Sequence, residues 1–199
     1  MDREITKDWF ESVEKATRVG KRIYESGAEL NRCLDHIVQL LSDSSVLLAA
    51  GSHSTSIFLS ITAIEESAKI SINMFRRGSD EVKRSKDPLF KHNEKHKLAA
   101  SPVLELGGRL REVLGREKIT EFVKSARNGD FISVRESSLY VGRKNNNLNI
   151  PSEVTDKVFA RDLLLFSVEI FDDAFVGLTG HTGELEVITD NIFNQWADT

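Results

Sequence analysis

The chain has 199 residues, of which 40% are hydrophobic and 29% charged, and its formal net charge is −4. This is the balance of a soluble globular chain able to bury a real core, expected as one domain over 1–199. Met1 to Thr6 is polar and no apolar run reaches the ~18 residues of a membrane span, so no membrane partner is expected and the expected setting is cytoplasmic. Cys33 is the single cysteine, which excludes an internal disulfide and a cysteine-based zinc site.

Helical periodicity governs the chain, and no alternating strand pattern stands out. A short leading helix is expected from Trp9 and Phe10 to Tyr24, loosened by Gly20 and Gly27. From Glu29 to Ala50, Leu30, Leu34, Ile37, Leu41, Ser45 and Leu48 recur at threes and fours, and Gly51 supplies the residue type favoured just beyond a helix end. The spacing from Leu30, Leu34 and Ile37 makes Cys33 a packing residue. Ser52 or Ser54 can cap the next helix. That helix, about 54–77, places Ile57, Ile61, Ile64, Ala68, Ile72 and Phe75 on one stripe and Leu59, Ala63, Ile70 and Met74 on a second, so most of its circumference is covered. The two helices, joined by a few residues, form an antiparallel hairpin.

Set into this apolar helix is Glu65, with Lys69 one turn on in the favourable order for an i, i+4 pair. Charge on a covered face asks for a partner or a task. The pair is either an internal ion pair that fixes the seating of the helix or a polar anchor beside a site.

Beyond Gly78 the chain turns polar, and Asp87-Pro88 reads as an N-cap with proline at the first helical position of a helix to about Ala100. Pro102 interrupts, and helical spacing resumes at Leu106, Leu110, Val113 and Leu114. Ile119, Phe122, Val123 and Ala126 mark another short helix closed by Asn128-Gly129. The stretch from Asp130 to Val141 fits a helical turn or an extended piece. Asn145, Asn146, Asn147 and Asn149 favour turns, and Pro151 ends that loop. Ser152 or Thr155 caps a helix to about Val176 whose Phe159, Leu163, Leu164, Phe166, Val168, Ile170, Phe171 and Phe175 make a wide apolar face. Residues 177–199 form a C-terminal appendage, with a terminal helix that docks or swaps onto a partner.

Charge is uneven. Arg76 to Lys97 carries eight basic residues against four acidic ones, a local +4, whereas Ser152 to the end carries two against ten. A nucleic-acid face and a solvated surface both fit that middle segment.

The hairpin with Ala63-Ile64-Glu65-Glu66-Ser67-Ala68-Lys69, the Phe90-Lys91-His92-Asn93-Glu94-Lys95-His96-Lys97-Leu98 segment, Arg135-Glu136-Ser137-Ser138-Leu139-Tyr140-Val141 before an Asn-rich loop, and the long helix that follows resemble, in that order, the AbiV-type abortive-infection proteins of the HEPN group. The resemblance covers about 29–176. It implies an all-α helical bundle, usually dimeric, acting in defence against phage, and in many HEPN relatives an RNase.

The HEPN nuclease signature pairs an Arg with a His four to six residues on, and cleaves RNA without metal: His moves protons while Arg neutralises charge on the phosphorane. Arg135 matches the Arg, but the residue five positions later is Tyr140, a phenol of ordinary pKa about 10 and a poor base near neutrality. The candidate site residues are therefore Arg135, Tyr140, Glu65 and Lys69 together with His92 or His96, which would supply the missing proton transfer. His92 and His96 lie one turn apart, but Glu94 is misplaced for a zinc-protease motif, and neither metal nor cofactor is implied.

Two readings stand: a phage-defence effector that arrests growth by binding or cleaving RNA, and a non-enzymatic protein that blocks translation or phage machinery through protein contacts. The expected partners are a second copy of the chain, RNA, and a phage protein as activator. The homodimer follows from the apolar excess of the last long helix as well as from the resemblance.

Overall fold

The computed structural model describes residues 3–18, 20–77, 82–99, 108–144 and 146–199. In chain order these hold α1 (Arg3–Arg18), α2 (Gly27–Ala49), α3 (His53–Asn73), two 3₁₀ turns (Arg84–Lys86, Pro88–Phe90), α4 (His92–Ala99), α5 (Gly108–Asn128), α6 (Asp130–Ser137), β1 (Gly142–Lys144), β2 (Asn147–Asn149), α7 (Pro151–Val154), α8 (Lys157–Phe175) and α9 (Gly180–Ala197). The fold is all-α.

The antiparallel hairpin is α2 and α3, turned by Gly51 at φ +79°. Ser26 caps α2 by accepting from the Glu29 N–H. Along the α2–α3 seam, serines permit close approach: buried Ser44 donates to the Ser56 carbonyl at 2.9 Å and also meets the Ser60 hydroxyl at 2.9 Å. α3 is the central rod. Ile57, Ile61, Ala63, Ile64, Ala68 and Ile70 are buried around it, against α2 on one side and α8 on another. Phe75, assigned by spacing to the first stripe, lies past the helix end and is 63% exposed.

The apolar face of α8 is covered within the chain: Phe166, Phe171 and Phe175 are fully buried. Phe166 packs with Phe122 of α5 and Phe131 of α6 at ring-centre distances of 5.1 and 6.5 Å. The apolar excess that motivates a dimer is thus absorbed by the chain's own helices. The C-terminal helix α9 docks on α2 and α8, burying Leu185, Ile192, Phe193 and Trp196, with the Trp196 indole donating to Ser45 at 2.8 Å.

Several local expectations need correction. The proline turn at 88 does not run on into a helix: Asp87 accepts from the Leu89 N–H, Lys91 is extended, and α4 starts afresh at His92. The α8 cap is Asp156, which accepts from the Val158 and Phe159 N–H groups, not Ser152 or Thr155. A small antiparallel pair, β1–β2, forms around Asn146 at φ +65°; three residues per strand are too few to show alternation. The helical spacing at Leu110, Val113, Leu114 and Ile119 belongs to α5, which kinks at Gly115. The expected break at Pro102 and the start at Leu106 lie outside the described residues.

Where α5, α8 and α9 meet, the Arg109 guanidinium reaches three carboxylates at once, Glu169 from Nε at 2.8 Å, Asp172 and Asp190. Burial pushes Asp172 up to about 6 against the pull of Thr189 and Arg109. Asp173 is exposed at the surface, and partial desolvation and then the neighbouring Glu169 push it up to about 6 as well. Between its ordinary 3.8 and about 6 the folded chain keeps a proton on Asp173 that the unfolded chain has released, so this contribution to stability is present in acid and lost as pH rises through 6. Asp173→Asn is expected to raise the melting temperature at pH 7.5 by about 1–2 °C after solvent screening is allowed for, with the gain shrinking as pH falls from 6 to 4. Thermal melts across that range check it.

Candidate functional site

The site is assembled by three helices. α3 supplies Glu65, which is 2% exposed, at a level where its neighbours on the rod are Ile61, Ile64 and Ala68. α4 supplies His92, Lys95 and His96, which share one face because i, i+3 and i+4 are neighbours on a helix. α6 supplies Arg135 from its last turn. α4 and α6 both pack on α3, so their polar faces meet over the one carboxylate.

Glu65 is engaged on both oxygens. His92 Nδ1 lies 2.8 Å from Oε1 and 2.7 Å from Oε2; His96 Nε2 lies 3.0 Å from Oε1; Lys95 Nζ donates to Oε2. An ionised carboxylate only accepts, so both imidazoles present an N–H to it. Burial would raise the Glu65 carboxyl, but the His96 hydrogen bond and the Lys95 charge and hydrogen bond outweigh it and hold the group down at about 2. Arg135 Nε stands 3.9 Å from Oε1, and its guanidinium lies over the Phe58 ring at 4.6 Å. His96 meets Phe131 edge-on at 5.7 Å. His96 Nδ1 and Arg135 Nε remain buried polar atoms without a hydrogen-bond partner.

The environment grades outward. His96 is fully buried and Lys95 nearly so, while the side chains of Arg135 and His92 are 25% and 47% exposed. Lys95 and Arg135 together exceed the Glu65 charge, leaving a positive site before either imidazole is protonated. His96 and Arg135 approach the same Glu65 oxygen at 3.0 and 3.9 Å, and His92 approaches it at 2.8 Å. Each of these ring nitrogens, both turned to Glu65, is therefore within roughly 7 Å of the guanidinium Nε.

Of the six candidate residues, Glu65, His92, His96 and Arg135 come together, and two do not. Lys69 pairs with Glu66 at i, i+3, not with Glu65, because Glu65 is turned beneath α4 and taken up by its cations. Tyr140 follows the end of α6 and is 63% exposed, outside the cluster. Lys95 is the member that sequence reasoning missed, although its position three after His92 and one before His96 places it on their face. The basic segment is also no continuous surface: Arg76 is buried in a two-pronged pair with Asp87, and Lys95 is consumed by Glu65. Among the described residues no group of three or more His, Cys, Asp or Glu is arranged to hold a metal ion. No helix among them is long and apolar enough to cross a membrane.

A family profile described as AbiV, of the HEPN group, matches residues 28–171, and the chain belongs to that family. Comparison with curated proteins and with solved structures gives no match.

The Glu65 cluster makes opposite forecasts for two adjacent ion pairs. Glu65→Gln strands the buried Lys95 ammonium and is expected to cost about 3 kcal/mol. Lys69→Ala, at the rim, is expected to cost less than about 1 kcal/mol. Urea unfolding at pH 7 distinguishes them. In the wild type the Glu65 contribution is present above the ordinary 4.5 and lost as pH falls toward 2, so the difference between Glu65→Gln and wild type should narrow in acid.

Proposed function

We propose that this AbiV-family chain is a phage-defence effector that arrests growth by cleaving RNA without metal, using the cluster gathered on Glu65. The observation that carries the reading is the convergence of two histidines and Arg135 on one buried, ionised carboxylate. Glu65 fixes His92 through Nδ1, which leaves Nε2 of this half-exposed ring as the nitrogen that substrate can reach. An RNA 2′-hydroxyl gives its proton to Nε2 and its oxygen attacks the adjacent phosphorus. Charge on the phosphorane is met by Arg135, and the 5′-oxygen leaves with the proton returned from the imidazolium. The products are a 2′,3′-cyclic phosphate and a 5′-hydroxyl. His96, buried behind, positions the carboxylate.

This assignment puts proton transfer on α4 in place of the residue five beyond Arg135, where Tyr140 stands. It also favours His92 over His96, because the fully buried ring has no route to a phosphate. Purified protein with single-stranded RNA in EDTA is expected to yield cyclic-phosphate ends. Arg135→Ala and His92→Ala are each expected to lower the rate at least about 100-fold, and Tyr140→Phe to leave it within about twofold. Growth arrest on expression should follow the same order.

A second reading, obstruction of host or phage machinery through protein contacts, is favoured by a different observation. Leu139, Tyr140 and Val141 are 40%, 63% and 65% exposed in succession, beside Leu148 at 55%. Growth arrest that survives Arg135→Ala and His92→Ala would select it. In the nuclease reading that apolar strip meets its equivalent on a second copy, setting two clusters near one another. Light scattering at micromolar concentration is expected to give a dimer mass that Tyr140→Glu converts to monomer.

A further inference from the structure

Phe58, half-buried on α3, belongs to neither apolar stripe of that helix. At about 100° per residue it shares a face with Thr62 and Glu65, and its Cα stands about 10 Å from that of Glu65 along the axis. α6 packs on α3, and its Arg135 meets both ends of this face. Arg135 Nε lies 3.9 Å from Glu65 Oε1, and Cζ lies 4.6 Å from the centre of the Phe58 ring.

Neither end takes a hydrogen bond from the guanidinium. The Glu65 oxygens are engaged by His92, Lys95 and His96, each closer than Arg135. Thr62, between the two ends, turns its hydroxyl into the helix and donates to the Phe58 carbonyl at 2.8 Å. The ring attracts the cation through its quadrupole, without a lone pair to draw an N–H. Arg135 Nε is therefore buried without an acceptor, and among the described residues the whole fork is unspent, although the side chain is only 25% exposed.

An arginine pinned by two hydrogen bonds to an acid meets a substrate with its donors already used. Here a charge at 3.9 Å and a ring at 4.6 Å hold the group and leave its terminal nitrogens to grip two oxygens of one phosphate. Without the ring, the nearest attraction is Glu65, where Arg135 has only to close to the roughly 2.9 Å of a hydrogen bond. It would then compete for Oε1 with His92 and His96, which already share that oxygen.

We propose that Phe58 is a positioning residue for Arg135: the ring keeps the guanidinium off Glu65, so that its N–H fork faces the phosphate. This role rests on the reading that Arg135 meets the phosphorane during RNA cleavage.

The test compares single-turnover cleavage of single-stranded RNA in EDTA with affinity for the same sequence as uncleavable 2′-O-methyl RNA, measured by fluorescence anisotropy. Phe58→Leu is expected to lower the cleavage rate at least about fivefold while affinity stays within about twofold. Phe58→Tyr, which keeps the ring, should retain most of the rate. Added to Arg135→Ala, Phe58→Leu should cost nothing further, because the residue it positions is gone. Phe58→Met, a second side chain without a ring, should match Phe58→Leu, and melting temperatures establish that the variants are folded. Full rate in Phe58→Leu and Phe58→Met, a loss in Phe58→Tyr as large as in Phe58→Leu, or an equal further loss on top of Arg135→Ala would each overturn the proposal. A wild type that cleaves no RNA overturns the nuclease reading instead. The seat is then decided by the Arg135 Nε–H magnetic resonance signal, assigned by its absence in Arg135→Lys: a shift in Phe58→Leu upholds the ring's hold on the guanidinium, and an unmoved signal removes it.

Discussion

A single carboxylate, buried in the central helix of the bundle, determines how the short helices sit. Glu65 could not be ionised at 2% exposure without compensation, and the compensation comes from residues 27 to 70 positions later in sequence. α4 has eight residues and α6 has eight. Helices of that length are not stable alone and carry little apolar surface with which to be held. Their position depends on delivering Lys95, His96, His92 and Arg135 to the same point on α3. The cluster is thus a structural joint as well as a candidate chemical site, and the two roles cannot be separated by removing Glu65. They separate at the periphery, at His92 and Arg135, where exposure rises and the contribution to packing falls.

The long helices were legible from spacing alone. The α2–α3 hairpin, the Gly51 turn and α8 follow from apolar residues at threes and fours and from glycine and proline positions, which are local signals. The ion pairs were not legible. The favourable i, i+4 order of Glu65 and Lys69 was outweighed because Lys69 had Glu66 within reach on the same helix, while Glu65 faced a helix that contributes three donors. His92 and His96 were visible as a one-turn pair, and Lys95 sat on their face by the same rule, but a lysine between histidines reads as surface until something acidic is placed opposite. The Asp156 cap was overlooked for Ser152 and Thr155, although Asp is as favoured as Ser and more favoured than Thr at a helix start.

Net charge was also a poor guide to surface. The +4 of residues Arg76 to Lys97 reads as one basic face, yet Arg76 and Lys95 point inward to Asp87 and Glu65. Counting charges along a segment cannot distinguish a cation that will meet a phosphate from one that anchors the fold. Only the depth of each side chain decides it.

Three ionic joints recur with a common logic. Arg76–Asp87 ties the end of the hairpin to the segment leading into α4; Glu65 ties α4 and α6 to α3; Arg109 ties α5 to α8 and α9. Each stands where an element is short, kinked or terminal, and where hydrophobic area is scarce. Replacing such a joint by well-packed apolar side chains is often neutral or stabilising, since buried ion pairs seldom outperform good packing. What apolar contacts would not supply is direction: a carboxylate accepts along defined axes, so α4 can satisfy Glu65 only with residues 92, 95 and 96 facing inward. That requirement sets the rotation of α4, and the rotation sets which nitrogen of His92 is left toward the outside.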